Sequence, residues 1–549
     1  MTDEDHLRAQ RIRKRDALIE KGVDPYGGRY PNVVATAEVR AQAEPLNIAP
    51  GERAGLRVRV AGRIMLLREM GKLAFVTIRD GVGTIQLGLS KSELGVDQWS
   101  VLKQLDLSDI VGAEGTVGRT KTGELTVWVD ILTVLAKSLQ PPPEKWHGLT
   151  DVDLRYRRRY VDLFTNPEVR EVFRRRSAII QALRQCLVAL GYYEVETPVL
   201  QPMYGGAAAR PFITHHNTLD MQLYLRISPE LYLKRLLVGG LDRVFEISRN
   251  FRNEGISTKH NPEFTMIELY EAYADYHVMM DRVEQMVSAA FRVSAREAVP
   301  ARAEALEQEA ARLSAEQGEL AAADFARESP LSAYRQAREG IAAGRLQAVY
   351  DGRVLDFTPP WPRRKYADLL EEHAGVSMRD IAAVRARAER FDIDPAGKDD
   401  AVVVNRLFET AVEPHLIQPS FVMDYPAAIC PLTRRHPDDP SIALRFEAFA
   451  STMELGNAYT ELNDPQAQAD NFRRRVVGEG DETMAVMDED YVTALEYGMP
   501  PAGGLGVGID RLVMLLTDSP SIRDVILFPL QRPVRAAPPL AGSAADRDG

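Results

Sequence analysis

The decisive stretch of the chain reads Arg243-Val-Phe-Glu-Ile-Ser-Arg-Asn-Phe-Arg252-Asn-Glu-Gly-Ile-Ser-Thr-Lys-His260-Asn-Pro-Glu-Phe-Thr-Met-Ile-Glu268-Leu-Tyr270. It predicts a strand, a loop and a second strand, because Gly255 and Asn261-Pro262 are turn signals. Alternate residues of a strand share one face. The first strand therefore presents Glu246, Ser248, Asn250 and Arg252 together, and the second presents Phe264, Met266, Glu268 and Tyr270.

These two polar rows allow two interpretations. Facing polar groups cost free energy when they are buried without a ligand, so the rows could line a binding site. Arg252 would then hold a phosphate or a carboxylate, since its planar fork suits both, and Phe264 could stack on a base. In the other interpretation the rows form an exposed, salt-bridged sheet face. The pattern alone leaves both open.

A second polar row follows the strand-like segment Arg445-Phe-Glu447-Ala-Phe. Asn457, Tyr459 and Glu461 fall on one face of the next predicted strand. Glu447 and Glu454 carry the hard oxygen ligands that Mg²⁺ prefers, most often together with nucleotide phosphates. Two glutamates in a structural salt-bridge cluster are the alternative.

A third element reads Gly503-Gly-Leu-Gly506-Val-Gly508-Ile-Asp-Arg511. It is not a dinucleotide fingerprint, because the third glycine of that motif would fall at Ile509. The chain also has no GxxxxGK[ST] motif, so any ATP must be bound by another route. Glycines inside a strand suggest the close approach of a flat ligand, and Arg511 could reach a phosphate. Tight strand-to-helix packing is the alternative.

Residues 51–140 have the pattern of a small barrel. Alternation from Leu56, then at Leu73–Arg79 and at Thr84–Leu89, predicts three strands. A short helix near Ser100–Leu105 precedes strands at about Ile110–Val117 and Glu124–Leu135. Five strands with one helix are typical of an OB-type barrel, and such barrels often bind single-stranded nucleic acid.

The remaining domain boundaries are predicted from proline-rich segments and changes in composition. We divide the chain into 1–50, a basic helix and lead-in; 51–140, the barrel; 141–533, the main domain behind the Pro141–Pro143 linker; and 534–549, a disordered tail. A long helix is predicted at Glu168–Leu190, and the region Asp220–Glu271 reads mainly as strands and loops. The Ala/Glu/Arg-rich insertion 294–345 predicts a helical hairpin that stands off the main body, with a coiled-coil seam at Leu306, Leu313 and Leu320. Disorder is its alternative.

Composition excludes several classes of protein. The 549 residues are 45% hydrophobic and 27% charged, with a net charge of −11. The two cysteines, Cys186 and Cys430, are too few for a disulfide scaffold or a CxxC zinc knuckle, so we expect no zinc. We also expect no membrane span and a cytoplasmic location, because the chain lacks a long apolar run. The basic cluster that includes Arg11 and Lys14 predicts a solvated helix face, or else a contact with nucleic acid.

Several strings carry a family resemblance: Lys145-Trp-His-Gly-Leu, Gly205-Gly-Ala-Ala-Ala-Arg-Pro-Phe, Pro229-Glu-Leu-Tyr-Leu-Lys-Arg, Phe251-Arg-Asn-Glu-Gly-Ile-Ser, Asn457-Ala-Tyr-Thr-Glu-Leu-Asn-Asp and Gly508-Ile-Asp-Arg. In their order along residues 1–533 the chain resembles the lysyl-tRNA synthetases of class II. The resemblance implies an α+β fold, with an N-terminal five-stranded OB-type β-barrel that reads the anticodon. It further implies a catalytic domain built on a six-stranded antiparallel sheet flanked by helices, and a homodimer.

The same resemblance implies the chemistry: L-lysine is activated with ATP and Mg²⁺ and is then transferred to the 3′ end of tRNA(Lys). Arg252 and Arg511 would be catalytic, with Arg252 between the lysine carboxylate and the α-phosphate. A ligase that lysylates a protein, or a non-catalytic tRNA-binding protein, are the rival interpretations.

Site roles carry over residue by residue. ATP would be held by Arg252, Glu254, His260, Phe264, Glu447 and Arg511, and Mg²⁺ by Glu447 and Glu454. The lysine α-amino group would lie against Gly206 and Glu230, the ε-ammonium against Glu268, Tyr270 and Glu461, and the pocket wall would include Asn457 and Tyr459. Anticodon bases would contact Phe75, Gln86 and Glu124.

Overall fold

The computed structural model describes residues 3–143, 149–473 and 488–533. The chain divides into two units, Met1–Asp151 and Val152–Gly549, whereas the sequence placed the boundary at 140/141 and separated residues 1–50 from the barrel. Residues 144–148, which hold most of the Lys145-Trp-His-Gly-Leu string, lie outside the described residues, and so does the predicted disordered tail 534–549.

The first unit contains helices α1 to α3 and strands β1 to β5. The helices span Asp3–Glu20, Thr36–Ala43 and Lys91–Leu102, and the strands span Arg53–Met70, Leu73–Arg79, Thr84–Ser90, Ile110–Arg119 and Leu125–Ala136. The strands close into a barrel in the order β1-β2-β3-β5-β4, as predicted. Helix α3 begins well before the predicted Ser100, because Gly95, with a φ of 77°, interrupts the helical pattern in the sequence.

The lead-in packs on the barrel. Leu18 and Val39 are buried in the same core as the inward-facing strand residues. Arg11 is also buried and donates to the carbonyls of Leu107 and Ser138, and Lys14 lies 2.6 Å from Asp106. Both basic side chains therefore fasten the helix to the barrel. For these two residues the predicted solvated face is wrong.

The second unit contains helices α4 to α18 and strands β6 to β18. The helices span Val152–Arg157, Arg159–Thr165, Pro167–Ala189, Glu230–Val238, Tyr276–Val293, Ala295–Gln317, Glu319–Glu328, Leu331–Ala342, Tyr366–Ala374, Ile381–Glu389, Asp400–Ala411, Pro465–Arg473, Glu489–Glu496, Ile509–Thr517 and Ile522–Val525. The strands span Tyr193–Glu194, Leu200–Gln201, Ile213–His216, Met221–Leu225, Arg243–Phe251, Glu263–Ala272, Gln347–Tyr350, Arg353–Asp356, Arg363–Lys365, Ser420–Pro426, Ile442–Ala450, Met453–Thr460 and Ala502–Gly508. None of the described helices is long and apolar enough to cross a membrane.

The main sheet runs in the order β14-β15-β16-β17-β18-β11-β10-β6. Its six central strands are antiparallel to their neighbours, and the short edge strands β14 and β6 pair in parallel. Helices α6, α8 and α17 bury their apolar faces against it. The predicted antiparallel sheet with flanking helices is confirmed.

One prediction for this unit is incomplete and another is wrong. Residues 220–271 are mainly strands and loops, as predicted, but they also contain helix α7, whose short run after Pro229 shows too few helical repeats to be recognised. The insertion does not stand off the body, because α9 and α11 bury Leu306, Leu331 and Tyr334 in the main core. Its heptad seam does not form, since α9 ends at Gln317 and Leu320 is 76% exposed.

Candidate active site

The register of the main sheet places the three predicted motifs side by side. One row of paired positions runs across five strands and contains Glu246, Glu268, Gly506, Asn457 and Glu447. The adjacent row contains Val244, Tyr270, Gly504, Tyr459 and Arg445. Residues that lie far apart in the chain thus form one continuous patch on one face of the sheet.

The patch is buried, which decides between the two interpretations of the polar rows. Ser248, Asn250 and Glu268 are all buried. Glu246 is buried as well, and its carboxylate lies 2.5 Å from Arg226 Nη1. An exposed, salt-bridged sheet face is therefore excluded, and buried polar groups of this kind need a ligand or internal partners.

A cavity of about 350 Å³ opens over the patch. That volume suits a small substrate rather than a bare ion. Twelve of the residues predicted for substrate binding line it: Gly206, Glu230, Arg252, Glu254, His260, Phe264, Glu268, Tyr270, Glu454, Asn457, Tyr459 and Arg511. Glu447 and Glu461, also predicted, are not among its lining residues.

Two glycines in and beside the cavity leave no room for a side chain. Gly206 has a φ of 85°, and a Cβ there would lie 2.9 Å from Glu230 Cβ, so a side chain would be strained and would fill the cavity. A Cβ at Gly504 would collide with the carboxylate of Glu461 and would lie 2.5 Å from Tyr270 Cε1. At Gly504 it is therefore the side chains of Glu461 and Tyr270 that approach the backbone closely, and not a flat ligand as the sequence suggested.

One end of the cavity is basic. Arg252 lies with its guanidinium carbon 5.1 Å from the centre of the Phe264 ring, and among the described residues its Nε has no hydrogen-bond partner. Arg511 donates to the Glu454 carbonyl at 2.7 Å and lies 3.3 Å from His260 Nε2. Burial lowers the pKa of His260, and the nearby arginines lower it further. This end offers two guanidinium groups and a neutral imidazole to an anion.

The other end is acidic. Ser228 Oγ donates to both carboxylate oxygens of Glu268, at 3.0 and 3.2 Å, but Glu268 has no ion-pair partner among the described residues. Burial raises the pKa of Glu268 to about 8, and the carboxylate of Glu230 adds to the effect. The Tyr459 hydroxyl donates to Glu230 Oε1 at 2.6 Å. A buried carboxylate without a cation is suited to a ligand that brings an ammonium group.

Glu447 does not line the cavity, but its carboxylate is close enough to Glu454 for the two charges to repel each other. It accepts from the Tyr425 hydroxyl at 2.9 Å and pairs with Arg445 at 2.5 Å. Burial raises its pKa to about 7, against the opposing charge of Arg445, and Glu454 raises it further. Glu454 Oε2 lies 3.5 Å from Arg511. Both glutamates therefore form ion pairs within the protein, as the salt-bridge interpretation predicted. Two neighbouring carboxylates are also the oxygen donors that Mg²⁺ takes together with nucleotide phosphates. Within the described ranges no group of three or more His, Cys, Asp and Glu residues could hold a metal ion.

Comparison with known proteins identifies the family. Residues 151–532 match the family described as tRNA synthetases class II (D, K and N), and residues 58–135 match the OB-fold nucleic acid binding domain. The chain belongs to the class II tRNA synthetases. It is 47% identical over 537 residues to the lysine–tRNA ligase of Moorella thermoacetica, covering 96% of this chain and 98% of that protein. It is also 47% identical over 545 residues to the lysine–tRNA ligase of Pelotomaculum thermopropionicum, covering 97% and 96%. The predicted resemblance and α+β fold class are confirmed.

The synthetase cavity also holds residues that the sequence reasoning missed. Ser228 binds Glu268, Arg445 holds Glu447, and Lys259 lines the basic end, where it donates to the Thr452 carbonyl at 3.2 Å. Lys234, on the unpredicted helix α7, pairs with Glu230 and Glu461. For Lys234 a signal existed: it stands four residues after Glu230, which on a helix places both side chains on one face.

The barrel unit of the synthetase presents the predicted anticodon residues on its outer surface. Phe75 packs edge-on to Trp128 with ring centres 6.2 Å apart, and Gln86 donates to Thr126 at 2.8 Å. Glu124 is exposed, 3.9 Å from Arg40. The pairings Phe75–Gly88 and Gly88–Trp128 put both rings on one face. Trp128 was not predicted, although its strand position fits the same alternation.

Proposed function

We propose that this protein is a lysyl-tRNA synthetase, which activates L-lysine with ATP and transfers it to the 3′ end of tRNA(Lys). One observation carries the proposal: a single cavity has guanidinium groups at one end and, at the other, the buried carboxyl group of Glu268, which has no ion-pair partner among the described residues. An amino acid with a cationic side chain and an anionic nucleotide would satisfy both ends.

The first step is the attack of the lysine carboxylate oxygen on the α-phosphorus of ATP. The bond between the α-phosphorus and the bridging oxygen breaks, and pyrophosphate leaves. Arg252 neutralises the lysine carboxylate and the α-phosphate, and Arg511 binds the nucleotide phosphates. Catalysis then rests on positioning and on stabilising negative charge. In the second step a terminal ribose hydroxyl of tRNA attacks the lysyl carbonyl, and AMP leaves.

The nucleotide site extends over the basic end. Phe264 would stack on adenine, with Glu254 and His260 holding the nucleotide beside it. The lowered pKa of His260 keeps its ring neutral at pH 7, so it can accept a hydrogen bond. Glu447 and Glu454 would hold Mg²⁺, which lowers the charge repulsion at the phosphates when it is bound.

Lysine selection belongs to the acidic end. Gly206 and Glu230 would take the α-amino group, while Glu268, Tyr270 and Glu461 would take the ε-ammonium. Asn457 and Tyr459 form the wall of the pocket. A methionine or leucine side chain brings no ammonium group to Glu268 and so gains none of the charge-assisted hydrogen bonding that lysine gains, which disfavours an apolar amino acid.

The other proposed partners concern each unit separately. Phe75, Gln86 and Glu124 would contact the anticodon bases of tRNA(Lys), with aromatic stacking as on other single-strand binding barrels. In the catalytic unit, Val188 on α6 and Tyr193 on β6 are exposed large side chains, and a homodimer would be one way to bury them. We further infer 51–140 as the anticodon-binding domain, 141–533 as the catalytic domain and a cytoplasmic location, where ATP and tRNA are available.

Lysine-dependent exchange between ATP and labelled pyrophosphate, followed by charging of tRNA(Lys), tests the function. We expect exchange with lysine and not with methionine, and charging that depends on tRNA. Absence of lysine-dependent exchange would refute the enzyme. Exchange without charging would instead indicate a ligase that lysylates another acceptor.

A further inference from the structure

Two of the carboxylates at the acidic end of the cavity are paired with an ammonium group of the protein itself. Lys234 is fully buried, with its Nζ 2.6 Å from Glu230 Oε1 and 2.5 Å from Glu461 Oε2. The same nitrogen lies 5.9 Å from the Tyr270 ring centre and 5.3 Å from that of Tyr459. Two carboxylates and two aromatic rings are the surroundings that a buried ammonium group requires.

The charges of this end can be counted. Three carboxylates, Glu230, Glu268 and Glu461, are buried together, and Lys234 is the ammonium group that faces two of them. Three negative charges and one positive charge leave two negative charges, which equals the two ammonium groups that lysine brings. Arg252 remains for the lysine carboxylate. Without Lys234 the same pocket would hold one more negative charge than its substrate can pair.

We propose that Lys234 is a positioning and specificity-determining residue, which holds Glu230 and Glu461 in place and sets the charge of the pocket to match a diammonium amino acid. The proposal rests on the proposed function of the cavity. Lys234 acts through the two glutamates and does not line the cavity itself. Lys234 lies on α7 four residues after Glu230, a spacing that places both side chains on one face of the helix.

Every element packed around Lys234 contributes to its electrostatic environment. Helix α7 carries Glu230 and Arg235, strand β11 carries Glu268 and Tyr270, and the end of β17 leads from Tyr459 to Glu461. Helix α16 adds Tyr491. Burial opposes the charge of Lys234, but Glu230 and Glu461 raise its pKa above the ordinary value. Burial and Glu230 raise the pKa of Glu461, and Lys234 counteracts them.

The first experiment uses the unaltered enzyme. Lysine is titrated into it at pH 7 by calorimetry in buffers of different ionisation heat, which gives the number of protons released. With Glu268 titrating at about 8, most of that group is protonated at pH 7 and loses its proton to receive the substrate. We expect about one proton per site, because Glu230 and Glu461 each form an ion pair with Lys234, whereas Glu268 has no ion-pair partner among the described residues. Release of two or more protons would overturn the proposal.

The second experiment replaces the residue. Lys234→Met keeps the length of the stem and removes the charge, and Lys234→Arg restores a charge. The matched control is Arg235→Met. Arg235 lies on the same helix as Lys234, but it pairs with Asp488 and not with the carboxylates of the cavity. Pyrophosphate exchange gives the KM values for lysine and ATP between pH 6.5 and 9, and circular dichroism checks folding.

For Lys234→Met we expect the lysine KM at pH 7 to rise by about 10- to 100-fold, since loss of an adjacent opposite charge shifts a carboxyl pKa by about 1–3 units. The ATP KM should change by less than about threefold, the lysine defect should shrink toward pH 9, and Lys234→Arg should recover part of the affinity. An unchanged lysine KM in folded Lys234→Met, or equal losses for lysine and ATP at all pH values, would refute the role of Lys234. If Lys234→Met does not fold, the proton count in the unaltered enzyme decides. Absence of lysine exchange in the unaltered enzyme would instead refute the proposed function.

Discussion

Replacement of Glu268 by glutamine tests the acidic end of the cavity most directly. The two side chains have the same shape, and glutamine can still accept the Ser228 hydrogen bond that Glu268 accepts at 3.0 Å. The change therefore removes the charge and leaves the packing. Removing one partner of a buried ion pair costs ~3–5 kcal/mol, and a charge-assisted hydrogen bond contributes ~1.5–3 kcal/mol. We take ~3 kcal/mol, which corresponds to an increase of about 100-fold in the lysine KM.

The pH at which the comparison is made changes this figure. Burial raises the pKa of Glu268 to about 8, so the unaltered enzyme must remove a proton from it at pH 7 before it can pair with lysine. That step costs ~1.4 kcal/mol at one pH unit below the pKa. The glutamine variant has no such cost. The lysine KM of Glu268→Gln should therefore exceed that of the unaltered enzyme by about 10-fold at pH 7 and by about 100-fold at pH 9.

Pyrophosphate exchange at both pH values, with lysine and ATP varied in turn, measures the effect. The ATP KM should stay within about threefold, because the nucleotide would lie at the basic end. Glu284→Gln is the matched control: Glu284 is also buried and accepts from the Trp361 backbone at 2.7 Å, but it does not line the cavity. Equal losses for lysine and ATP, or a lysine ratio that does not grow with pH, would contradict the assigned role of Glu268.

Other perturbations address the rest of the molecule. Arg252→Ala should abolish pyrophosphate exchange while sedimentation velocity still gives the same oligomer as the unaltered protein; near-normal exchange would contradict its catalytic role. Saturating lysine should raise the melting temperature more at pH 8.5 than at pH 6.5, because burial raises the pKa of Glu268 from 4.5 to about 8 and the lysine-free fold therefore loses stability as the pH rises through that range; scanning fluorimetry measures this, and an equal rise at both pH values would contradict it. Gly504→Ala should cost ~1–3 kcal/mol of unfolding free energy by overpacking against buried side chains, whereas Gly55→Ala, at a strand position with open space, should be nearly neutral in urea titrations. Phe75→Ala should lower tRNA charging by about 10-fold, since one stacked base is worth ~1–3 kcal/mol, and should leave pyrophosphate exchange unchanged; a matching loss of exchange would argue against an anticodon role.

The sequence by itself determined the local elements and the chemistry of the main strands. Period-two alternation found the barrel strands and both arms of the Arg243–Tyr270 hairpin, because strand geometry is written into every second residue. The residues of the hairpin also limited the ligand to something with anionic and polar groups. Alternation could not decide whether the polar rows were buried or exposed, since both arrangements have the same pattern.

Tertiary structure decided that question, because burial depends on what packs over a strand rather than on the strand itself. It also joined Glu268 to Asn457 through Gly506, positions nearly 200 residues apart that meet only through strand pairing. The predicted heptad seam of the insertion failed for the same reason: Leu306 is buried in the main core, whereas α9 ends at Gln317 and leaves Leu320 exposed. Lys234 is the clearest case. Its side chain is charged and so predicted to be exposed, yet the fold surrounds it with two carboxylates, and only that arrangement makes a buried lysine stable.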